Sequence, residues 1–133
     1  MLVAVAWPNH VHHDAALTWL ERLPHEWATT PFTETAFVRL SSRAAVVQHA
    51  VSPVEAHALL QRLVARPGHL FLVDDVPLVV DSHLSMNRVV TQAQVTDAHL
   101  VALARRHGAR LATFDRTIEA FAGPDNVELI PFN

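Results

Sequence analysis

The chain has no cysteine, and its ten basic residues are all arginine. Without cysteine there are no disulfides, thiolate metal sites or cysteine nucleophiles. Without lysine there is no Schiff-base chemistry and no P-loop or kinase-type phosphate lysine. The all-arginine composition fits a GC-rich coding bias equally well. Charge is also scarce: 17% of residues are charged and half are hydrophobic, which excludes a disordered chain. No apolar run approaches the roughly 20 residues of a membrane span. The segment Met1-Leu2-Val3-Ala4-Val5-Ala6-Trp7 has no basic region and is short for a signal core, so a cytoplasmic protein with no membrane partner is expected. A net charge of −3 argues against bulk electrostatic binding to nucleic acid. It leaves room for an enzyme that meets RNA through a metal and a few arginines.

At 133 residues the chain is read as one domain, residues 1–133, large enough for a real core. Strands and helices alternate, which predicts an α/β sheet with crossover helices. Helices are expected over His13 to Leu23, from Pro31 to Leu40 behind a Thr30 cap, and from Pro53 to about Arg66 behind Ser52. Another begins after Thr91, and a short one spans Thr117 to Ala122. Ser52 with Glu55 and Thr91 with Gln94 are capping boxes. Pro67-Gly68 and His107-Gly108 end helices. Leu78 to Asn87 is expected to be helical. Strands are expected at Trp27 to Thr30, His69 to Val73, Arg110 to Phe114 and Val127 to Ile130.

Three carboxylates fall at the carboxyl ends of these strands, where open α/β sheets collect ligands. Glu34 follows the strand ending at Thr30, Asp115 follows the one ending at Phe114, and Asp97 lies early in the helix leading back to it. Leu100, Val101 and Ala104 place Asp97 on an apolar stripe, where an unpaired carboxylate is costly and needs a partner or a cation. Hard oxygen ligands without cysteine suit Mg²⁺ or Mn²⁺, and the natural chemistry is phosphodiester hydrolysis. Each acid also has a plainer use. Asp115 fits a helix cap, Asp97 an arginine partner, and Glu34 a first turn that favours negative charge. Thr96 and Thr113 fit ligand orientation or caps and strands. Arg116 fits a phosphate or an acid partner. Arg39 and Arg43 fit an RNA backbone or plain solvation. His99 fits packing, Asp74-Asp75 a turn, and the tryptophans core or dimer contacts. The histidines at 10, 12 and 13 make a weak case for a structural metal.

The segments Thr30-Pro31-Phe32-Thr33-Glu34, Val95-Thr96-Asp97-Ala98-His99-Leu100 and Leu111-Ala112-Thr113-Phe114-Asp115 resemble the acidic motifs of PIN domains, most closely those of VapC toxins from bacterial toxin–antitoxin pairs. The resemblance extends along nearly all of the chain. It implies a three-layer α/β/α domain with a mainly parallel sheet. It also implies a metal-dependent endoribonuclease in which Glu34, Asp97 and Asp115 are catalytic and hold Mg²⁺ or Mn²⁺. The implied partners are an RNA substrate, a cognate antitoxin that covers the active-site groove, and a second copy of the chain. In one respect the pattern differs. The family opens with a strand ending in Asp-x-Asn, whereas Met1 to Val5 resembles the segment after it. The first central strand and its aspartate are therefore expected to be missing. A chain that is weakly active or inactive, and mainly binds its antitoxin, is the alternative expectation.

Overall fold

The computed structural model describes residues 1–22, 26–79 and 86–132. They divide into two compact units, Met1–Val73 and Asp74–Asn133. Among them no helix is long and apolar enough to cross a membrane.

The first unit opens with α1 (Leu2–Ala6) and α2 (His13–Glu21), followed by β1 (Trp27–Thr29), α3 (Pro31–Ser41), α4 (Pro53–Val64) and β2 (His69–Phe71). The strands pair in parallel, Trp27 opposite His69 and Thr29 opposite Phe71, with α3 and α4 in the crossover. Residues in a strand alternate between faces. Trp27 and Thr29 are buried on one face of β1 while Ala28 is exposed on the other. The Thr30 side chain caps α3 by accepting from the Thr33 amide, and Pro31 takes the first helical position, where its missing N–H costs nothing. Ser52 and Glu55 form the expected box at the start of α4. Trp7 donates its indole N–H to Ser41 Oγ at 3.0 Å, tying the chain after α1 to α3. The expected end of α2 at Leu23-Pro24 lies outside the described residues.

The second unit contains α5 (Gln92–Arg106), β3 (Leu111–Thr113), α6 (Arg116–Ala122) and β4 (Val127–Leu129). Strands β3 and β4 are again parallel, Leu111 opposite Val127. The capping box at Thr91 starts α5: the Gln94 amide donates to Thr91 Oγ1, and the Thr91 amide to Gln94 Oε1. Gly108, at φ 67°, lets the chain turn away after His107, a backbone conformation that costs glycine nothing. One core cluster joins Val76, Ala98, Ala102 and Leu103, and a second joins Val101, Ile118 and Val127.

The helix expected over Leu78 to Asn87 needs correction where it is described. Leu78 and Val79 form a turn, and Met86–Arg88 a single 3₁₀ turn. Leu78, Val79 and Met86 are all exposed, so the described residues of this stretch supply no buried stripe for a longer helix. Residues 80–85 of that expectation lie outside the described residues. The strands are three residues each, shorter than their apolar runs.

Candidate active site

Asp97 lies in the first half of α5, with Val101 and Ala104 buried one and two turns further on. Its carboxylate is half-buried, and no hydrogen bond or ion pair reaches it among the described residues. Burial, followed by the nearby negative charge of Asp115, pushes it above the ordinary carboxylate range. Among the described residues no arginine pairs with it. The structure thus brings two acids together, and the more enclosed one carries an uncompensated charge.

Asp115 arrives from the end of β3 and is exposed. One carboxylate oxygen caps α6, accepting from the Thr117 amide at 2.8 Å. The plainer use foreseen for this residue is therefore real, yet a carboxylate has lone pairs left on its other oxygen. The Asp115 amide donates to Thr113 Oγ1 at 3.1 Å, so Thr113 shapes the backbone under the acid. Arg116, at the first position of α6, is exposed with no ion pair among the described residues. Thr96 is exposed beside Asp97.

Glu34 belongs to the other unit, in the first turn of α3. Thr29, fully buried, donates its hydroxyl to Glu34 Oε1 at 2.6 Å. The Thr29 oxygen also lies 2.8 Å from His69 Nε2, across the β1–β2 pair. The His69 ring packs on Trp27 with centroids 4.7 Å apart. Burial lowers the His69 pKa, partly offset by the Glu34 charge. Glu34 also lines a groove of about 540 Å³ between α3 and α4, with Thr35, Val38, Arg39, His57 and Leu60. Arg39 therefore shares a concave surface with Glu34.

Sequence reasoning missed three connections. Thr29 and His69 gave no motif, because their link depends on strand pairing. Thr113 was singled out, but its bond to the Asp115 amide is a local side-chain turn without periodicity. Asp74 and Asp75 were read as a turn, whereas both are anchored to the end of α5 and its middle. His99 Nε2 lies 3.0 Å from each Asp74 oxygen, and His107 Nε2 lies 2.9 Å from Asp75. Arg106 adds a contact to Asp75 at 3.5 Å.

Two adjacent carboxylates, one half-buried, form a hard-oxygen donor set of the kind Mg²⁺ accepts, since that ion often takes one or two carboxylates and completes its shell with water and phosphate. Among the described residues no three His, Asp or Glu side chains cluster as a fuller ligand set.

The chain matches the PIN domain over residues 1–124. It is 44% identical over 131 residues to Ribonuclease VapC39 of Mycobacterium tuberculosis, covering 98% of this chain and 94% of that protein. Ribonuclease VapC38 of the same species is 44% identical over 122 residues, covering 91% and 84%. Ribonuclease VapC29 is 34% identical over 131 residues, covering 98% and 92%.

Proposed function

From a chain that belongs to the PIN-domain family, in its VapC branch, we propose a metal-dependent endoribonuclease toxin neutralised by a cognate antitoxin. The observation that carries this reading is the Asp97–Asp115 pair, in which a half-buried carboxylate is left facing another negative charge. A cation between the two would remove that repulsion. Mg²⁺ or Mn²⁺ held there would supply an activated water and take up charge on the leaving oxygen of a phosphodiester. Asp97 and Asp115 would hold the ion; that Glu34 is also catalytic and metal-binding rests on the family resemblance alone. Thr113 fixes the backbone from which Asp115 projects. Arg116, one residue further and exposed, would meet a phosphate of the RNA. Thr96 orients a ligand or water beside Asp97. Arg39, in the groove with Glu34, meets the RNA backbone or the antitoxin. A homodimer in the cytoplasm completes the proposal.

The test is cleavage of a single-stranded RNA by the purified chain with Mg²⁺ or Mn²⁺, beside Asp97→Asn and Asp115→Asn. Loss of cleavage on chelation and in both variants supports the reading. Undiminished cleavage in either variant overturns it. The absence of a third clustered ligand among the described residues favours a second reading, a domain that binds its antitoxin without cutting RNA. Mn²⁺ calorimetry separates them: the nuclease binds the ion, and the binding module gives no heat.

A further inference from the structure

Glu34 is held by a chain of hydrogen bonds whose direction the chemistry dictates. An ionised carboxylate can only accept, so the single hydroxyl proton of Thr29 goes to Glu34 Oε1, at 2.6 Å. The Thr29 oxygen, 2.8 Å from His69 Nε2, must then be the acceptor of that contact. His69 therefore carries its proton on Nε2, and the relay runs from Nε2–H to the hydroxyl and from O–H to the carboxylate. Its polarity fixes the rotation of the carboxyl group.

Each member is itself restrained. Thr29 is fully buried in β1. His69 sits on the paired strand against the Trp27 ring, and Trp27 donates its own N–H to the Pro67 carbonyl at 3.1 Å. The Glu34 oxygen thus takes its position from two paired strands as well as from α3.

We propose that Thr29 and His69 are positioning residues that pre-orient the Glu34 carboxylate for a divalent ion, an inference that rests on reading Glu34 as a ligand. Partners of this kind, behind the direct ligands, typically change metal affinity about 10–100-fold when removed.

The experiment is Mn²⁺ calorimetry on the full chain, with thermal melts to follow folding. Thr29→Val keeps the buried shape but removes the hydroxyl, and His69→Leu removes the N–H. Each is expected to weaken Mn²⁺ binding by about 10–100-fold. Thr29→Ser and His69→Gln restore a hydroxyl and an Nε2–H donor, and should bind within about threefold of the parent. In the metal-free protein, NMR should show a slowly exchanging His69 Nε2–H proton that vanishes in Thr29→Val. Glu34→Gln is the reference. If it weakens Mn²⁺ binding while Thr29→Val and His69→Leu only lower the melting temperature, the relay is overturned and the ligand reading stands. If Glu34→Gln leaves the affinity unchanged, the ligand reading fails and the relay's purpose with it.

Discussion

Asp97 ionises at a cost that the fold does not relieve. Its pKa is raised, by burial first and by Asp115 second, so over the window above the ordinary carboxylate value the folded state binds more protons than the unfolded. Stability therefore falls as pH rises through that window. Asp97→Asn should melt higher than the parent at pH 7 and lose that advantage in acid, while RNA cleavage is abolished. A variant that gains stability and loses activity is what a functional acid gives; a structural acid loses both. Asp115 separates differently, because it also caps α6. Asparagine is as good a cap, so Asp115→Asn should keep its stability and lose cleavage, whereas Asp115→Ala should lose cleavage and about 1 kcal/mol of stability in urea melts. Thr113→Val removes the acceptor for the Asp115 amide and should slow cleavage about fivefold, the effect of one ordinary hydrogen bond of about 1 kcal/mol. At this scale the sequence read Asp97 and Asp115 together, because helix period and strand ends are local rules, and the structure sets the charge of Asp115 near Asp97. It did not reach Thr29 and His69, whose contact spans 40 residues and depends on the register of β1 on β2.

Helix starts were the most legible elements, since caps are written in consecutive residues: Thr30, Ser52 and Thr91 all cap as read. Thr91→Ala should lower stability by about 1 kcal/mol through the start of α5. Strand lengths were less legible, because three paired residues lie inside longer apolar runs and pairing alone decides where they stop. The segment after β2 was read only as a turn, yet its two aspartates tie it to α5. Burial pushes the Asp75 carboxyl up, but its hydrogen bond and charge contact with His107, together with Arg106, outweigh that and hold it below the usual range. For a depressed carboxylate the stabilisation exists above the unfolded pKa and disappears as pH falls through the folded one. Asp75→Asn should thus destabilise the protein at pH 7 and match the parent near pH 2, the opposite trend to Asp97→Asn in the same melts.

The whole molecule is a mildly acidic PIN-family chain with no lysine, so few cations can release counterions from RNA. If Arg116 and Arg39 are the main phosphate contacts, the slope of log affinity against log salt on single-stranded RNA should be about −1.4, far shallower than for a basic RNA-binding domain. Alternation of strands and helices and parallel pairing were both legible at this scale. The grouping of strands into the pairs β1–β2 and β3–β4 was not, because no local signal names a strand's neighbour. The dual duty of Asp115 carries a final consequence. Since the same carboxyl group starts α6 and sets its charge near Asp97, its reach is fixed by a helix. Conserving charge with a longer arm, as in Asp115→Glu, would carry the oxygen past the Thr117 amide. The acid at this point is thus interchangeable in neither sign nor length, and the start of a helix acts as the ruler for the site.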